Sequence, residues 1–88
     1  MRILVFSILA SLSASAFASD PECTKEPKAK WKDKAAFEKE LQGQGYKIKK
    51  FKVTKTNCYE IYGHDKEGKK VEIYFNPVTG DKVKEEID

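Results

Sequence analysis

The tightest constraint on this chain is a pair of cysteines, Cys23 and Cys58, in a sequence that opens like an export leader. Met1 and Arg2 give a positive start, and Ile3 to Leu12 is almost wholly apolar. Ser13 to Ala18 is small and weakly polar, ending in Ala16-Phe17-Ala18, the small-x-small form that signal peptidase reads. A signal peptide over residues 1–18 is therefore expected, with cleavage after Ala18. Ile3 to Ala18 falls short of the roughly 20 apolar residues that span a bilayer. Asp20-Pro21-Glu22, directly before Cys23, is not the small-residue box that lipidation requires. A periplasmic or secreted product without stable membrane insertion follows. In such a compartment two cysteines pair, and only one intramolecular pairing exists. A metal or redox site is the weaker reading, because CxxC is absent and two cysteines with one histidine do not complete a tetrahedral set.

After cleavage, Ser19 to Asp88 leaves 70 residues. That is enough for one domain with a modest core, at a size where a staple matters. The expected division is a signal peptide over 1–18, an irregular proline- and lysine-containing segment over 19–30 tied by Cys23, and a folded domain over 31–88.

The hydrophobic pattern of that domain predicts an α+β fold, an N-terminal helix packed on one face of a three- to four-stranded antiparallel meander. Asp33 can cap a helix in which Phe37 and Leu41 share a face, with Gly43 and Gly45 ending it. About nine helical residues are marginal alone, so Phe37, Leu41 and Trp31 must pack on something. Ile48 and Phe51 are three apart, and a regular strand cannot place both on one face, so a bulge is predicted at Lys49-Lys50. Thr54 to Asn57 reads as a turn, Cys58 to Tyr62 as a second strand and Gly63 to Gly68 as a loop. Lys70 to Asn76 reads as a third strand, Pro77 to Gly80 as a tight turn and Asp81 to Ile87 as a weaker fourth strand. The inward face is expected to carry Phe51, Val53, Tyr59, Ile61, Val71, Ile73, Phe75 and Val83, with Val83 opposite Ile73.

The residues of this second half resemble the PepSY domain family, and more closely its short single-domain periplasmic members. Asn57-Cys58-Tyr59-Glu60-Ile61-Tyr62-Gly63 and Val71-Glu72-Ile73-Tyr74-Phe75-Asn76-Pro77-Val78-Thr79-Gly80 carry the likeness, with Cys23, Trp31 and Gly45-Tyr46 before them. Asn76 departs from the aspartate often found before the turn. The resemblance implies a helix packed on an antiparallel sheet and a non-enzymatic role. That role is a peptidase-inhibitory or regulatory module, or alternatively an accessory protein of a membrane cytochrome or another envelope redox complex.

The side chains themselves point away from catalysis. His64 is the sole histidine and is expected in a solvated loop, without a nucleophile and orienting acid around it. No phosphate loop, HExxH or serine elbow occurs, the mature chain lacks methionine and CxxCH, and no cofactor is expected. Lys25 to Lys55 holds eleven lysines against four acids, whereas Thr56 to Asp88 holds five against eight. Without arginine forks this basic half argues against nucleic acid and for contact with an acidic surface, or for simple solubility. Glu60, Tyr62, Lys70, Glu72 and Tyr74 alternate away from the inward face. They form the candidate partner-binding face, which is expected to be open to solvent with Glu60 and Glu72 facing each other.

Overall fold

The structure is a computed structural model that describes residues 20–88; the expected signal peptide and Ser19 lie outside the described residues. A short 3-10 turn, Lys28–Lys30, leads into helix α1, Lys34–Gly43. Four strands follow: β1, Lys47–Val53; β2, Tyr59–His64; β3, Lys70–Phe75; and β4, Lys82–Ile87. They form one antiparallel sheet in chain order, so β1 and β4 are its edges.

Local chemistry sets the boundaries. The Asp33 carboxylate accepts from the Ala36 amide at 3.0 Å, supplying one of the partners a first helical turn lacks. The helix ends where Gly45 adopts φ +103°, and a Cβ there would lie 2.6 Å from Lys66 Cβ. In β1, Ile48 faces Gly63 and Lys50 faces Tyr62, leaving Lys49 as the extra residue of a bulge. Ile48 and Phe51 consequently both reach the core. Asn57, at φ +66°, closes the β1–β2 turn, where Cys58 N donates to Thr54 Oγ1.

Asn76 has a double role that aspartate could not fill. Its Oδ1 accepts from the Val78 and Thr79 amides, while its Nδ2 donates to the Cys23 carbonyl at 3.0 Å.

Phe37 and Leu41 belong to one buried cluster with Tyr59, Ile61, Val71, Ile73 and Phe75, against which Trp31, Tyr46, Ile48 and Phe51 pack. The Phe37 ring lies edge-on to Phe75 at 5.2 Å and stacks on Tyr59 at 5.8 Å. Each such side chain contributes about 1.5–3 kcal/mol through burial. The Tyr59 hydroxyl donates to the Lys32 carbonyl at 2.6 Å. Burial, reinforced by the Asp33 charge, raises its pKa.

Three expectations are corrected. Strand β2 runs on through Gly63 and His64 rather than ending at Tyr62, because β1 passes so close to Gly63 that a Cβ would collide with the Lys47 carbonyl oxygen. The loop is Asp65 to Lys69, held by the Asp65 carboxylate, which accepts from the Glu67 and Lys69 amides. Val83 does not face Ile73: Phe75 pairs with Lys82 and Tyr74 with Lys84, so Val83 is the extra residue of a second bulge and is 43% exposed. Val53, at the last position of an edge strand, is also exposed.

Candidate interaction face

Alternation places the other side of the sheet in two cross-strand rows. One reads Lys52, Glu60, Tyr74, Lys84 across β1 to β4; the other reads Lys50, Tyr62, Glu72, Glu86. Lys70 stands opposite His64 at the hairpin end, where His64 closes β2 rather than lying in the loop. All five residues of the predicted face thus belong to this surface. Glu60 and Glu72 are diagonal neighbours, not the directly opposed pair expected, because the hairpin register sets each glutamate against a tyrosine. Lysines flank the checkerboard. Lys52 Nζ lies 3.8 Å from Glu60 Oε1 and 5.5 Å from the Tyr62 ring centre, and Lys84 Nζ lies 5.8 Å from the Tyr74 ring centre.

The face is not uniformly open. Glu60 and Tyr74 are only 2% and 5% exposed, Tyr62 and Glu72 are half-buried, and Lys70 is exposed. The cover at the Glu60 end comes from the N-terminal segment. The Cys23–Cys58 disulfide brings the two Cα atoms to 5.0 Å. Cys23 N donates to the Thr56 carbonyl at 3.2 Å, and Asn57 Nδ2 donates to the Thr24 carbonyl at 3.4 Å. Asp20 is thereby carried onto the sheet, within reach of the Tyr74 hydroxyl. That hydroxyl lies 3.1 Å from Asp20 Oδ1 and 3.0 Å from Glu72 Oε2, one proton between two acceptors.

Proton affinities diverge accordingly. Burial first, and then proton sharing with Glu72, holds Glu60 above the usual carboxylate range. The neighbouring Glu60 carboxyl, outweighing burial, pushes Glu72 below it. Tyr62 is raised chiefly by its hydrogen bond with Glu60, and Tyr74 chiefly by burial. Glu60 Oε2 is buried without any hydrogen-bond partner. Divergent carboxyls are the arrangement that acid–base catalysis uses; here the proton-holding member is buried.

Two clefts flank the rows. The one at the hairpin end is lined by Tyr62, Lys70, Val71, Glu72, Glu86 and Asp88. The one at the disulfide end is lined by Asp20, Lys52, Val53, Thr54, Lys55 and Glu60. Among the described residues no group of three or more His, Cys, Asp or Glu is set to hold a metal, and no helix is long and apolar enough to cross a membrane. Strand alternation could have added Lys52, Lys84 and Glu86 to the face. Asp20 carries no such signal, since only the disulfide delivers it.

A family model described as peptidase propeptide and YPEB domain matches residues 2–86. No curated protein and no solved structure matches the chain.

Proposed function

The chain belongs to the PepSY family of peptidase propeptide and YPEB domains, and from that premise we propose that it is a non-enzymatic binding module of the bacterial envelope that docks on and restrains a peptidase. In this reading a leader over residues 1–18 directs export, and residues 19–30 strap the domain over 31–88. Helix α1 covers one sheet face, and the other meets the partner. The carrying observation is the open, hairpin end of the second face, where Tyr62, Lys70 and Glu72 lie together around a shallow cleft. Tyrosine contributes a rigid, half-apolar contact, and charges of both signs fix the register of a partner.

A photo-crosslinker at Tyr62 or Lys70, with the exposed Lys39 of α1 as control, tests this in the native envelope. Crosslinking to a peptidase from Tyr62 and Lys70, with slower peptide turnover on adding purified protein, is the expected result. Crosslinks from Lys39 alone, or turnover unchanged at saturation, would defeat the proposal. A membrane cytochrome at the Tyr62 position would replace it with the redox-accessory role.

A further inference from the structure

The two edges of the sheet are built oppositely. Strand β1 carries Lys47, Lys49, Lys50 and Lys52 with no acid among its seven residues, and it bulges at Lys49. Like charges and a bulge are the usual guards against a further strand. Strand β4 reads Lys82-Val83-Lys84-Glu85-Glu86-Ile87, with charges of both signs and two large apolar side chains, Val83 and Ile87, 43% and 52% exposed. Helix α1 packs on β1 and lies away from β4. From Lys84 to Ile87 the pairing with β3 is regular. The Asp88 amide donates to the Lys70 carbonyl at 3.0 Å. Strand alternation then turns the Glu86 and Lys84 amides toward β3, and those of Glu85 and Ile87 outward.

The side-chain order along this edge complements itself. A second copy laid antiparallel about Glu85 sets Lys84 against Glu86 and Val83 against Ile87, and the same two pairs recur across the axis. Within the chain Lys84 Nζ already lies 3.3 Å from Glu86 Oε2, so the four charges of the two copies alternate in sign around a square. The axis brings Glu85 against its own copy, and Lys82 Nζ of each chain, 3.3 Å from Glu85 Oε2, offsets that like-charged pair. Moving the axis to Lys84 or Glu86 loses the match, because Glu85 then stands opposite Val83 or Ile87. We propose that β4 is the docking edge for a second copy of this chain, the two β4 strands pairing antiparallel about Glu85. Two four-stranded sheets then become one of eight strands, with both helices on the same side. Glu86 also lines the hairpin-end cleft, so pairing brings Lys84 of the second copy to its rim. A single strand pair makes a small interface, and the association is of the weak, reversible class.

Sedimentation equilibrium of the exported protein should show a mass rising from one chain toward two with concentration. Amide exchange at Glu85 and Ile87 should slow over the same range. Lys84→Glu and Glu86→Lys each turn two attractive cross-strand pairs into repulsive ones, and each should weaken association about tenfold or more. Mixed in equal amounts, the two variants should associate with each other more tightly than either does with itself, since every cross-strand pair is then opposite in charge. The double variant, Lys84→Glu with Glu86→Lys, should recover the wild-type dimer. A mass that stays at one chain up to about 1 mM, or a dimer indifferent to both reversals, would overturn the proposal. Exchange needs only the wild type, so Glu85 and Ile87 amides that exchange freely in the dimer would overturn it even if a variant does not fold.

Discussion

Removing both sulfurs, as Cys23→Ala with Cys58→Ala, should cost most of the fold's stability and at the same time uncover Glu60. The bridge spans 35 positions. Chain-entropy arithmetic gives a closed loop of that size about 4 kcal/mol. A domain of this length has only roughly 3–10 kcal/mol in total. The native state also loses the anchor for the strap's hydrogen bonds, Cys23 N to Thr56 O, Asn76 Nδ2 to Cys23 O and Asn57 Nδ2 to Thr24 O. Each is worth about 1 kcal/mol. Urea unfolding followed by Trp31 fluorescence suits the measurement, because that indole packs edge-on to Tyr59 at 5.6 Å and donates to the Glu26 carbonyl at 3.0 Å, so it reports the core and the strap that meets it. With a urea slope of about 1 kcal/mol per molar, the midpoint should fall by about 4 M, or the variant should be unfolded in buffer. Where folded protein persists, the Glu60 carboxyl should titrate closer to an ordinary carboxylic acid, since desolvation is the first cause of its displacement. A midpoint shift under about 1 M would show that the bridge does not restrict the unfolded chain as loop-closure reasoning requires. A Glu60 midpoint unmoved in the folded variant would show that something other than the strap covers it.

Gly63→Ala should destabilise by about 3 kcal/mol, the upper end for overpacking, because the new methyl meets the Lys47 carbonyl oxygen of a neighbouring strand rather than a movable side chain; a loss under about 1 kcal/mol in urea would mean β1 can retreat. Asn76→Asp should keep its turn but place a carboxylate oxygen against the Cys23 carbonyl, costing about 1–3 kcal/mol; faster reduction of the disulfide by thiols should accompany it, and unchanged melting would contradict it. Asp33→Ala should lower stability by about 1 kcal/mol through loss of the helix cap, with the same loss at neutral pH in low and high salt if the hydrogen bond rather than the charge is responsible. Glu60 stabilises fully below the ordinary carboxyl pKa of 4.5, and that contribution is lost as pH rises through its raised folded value. Glu72 behaves oppositely: its contribution is present above 4.5 and is lost as pH falls through its lowered value. Melting temperature against pH should therefore flatten on the alkaline side in Glu60→Gln and on the acid side in Glu72→Gln, and a wild-type profile retained in both would refute the assignment.

The parts of this fold that could be read from the sequence are those whose causes are local. Asp33 lies three residues before the amide it caps, the Lys49 bulge follows from the three-residue spacing of Ile48 and Phe51, and the Asn76–Gly80 turn is written in its own residues. The misplaced residues are those whose position depends on a neighbour. Gly63 belongs to β2 because β1 approaches it, and Val83 is turned out by a register shift that only the pairing with β3 reveals.

Glu60 is the extreme case. Alternation assigns it correctly to the second face, yet Asp20, which lines the same cleft, comes from forty positions earlier and is brought there through a covalent bond whose geometry no strand pattern encodes. That single bond divides one sheet face into two physical environments. At the disulfide end, Tyr74 and Glu60 lie where the strap crosses the sheet, and a partner could enter only by displacing it against roughly 3 kcal/mol of hydrogen bonds and a disulfide that does not let go. At the hairpin end, Tyr62, Lys70 and Glu86 line a cleft with no such cover. A partner that docks without breaking the bridge is therefore directed to the hairpin end. Tyr62→Ala should weaken its binding, while substitutions at Glu60 should act through stability alone, so an interface variant at Glu60 that left melting untouched would reverse the order of the two ends.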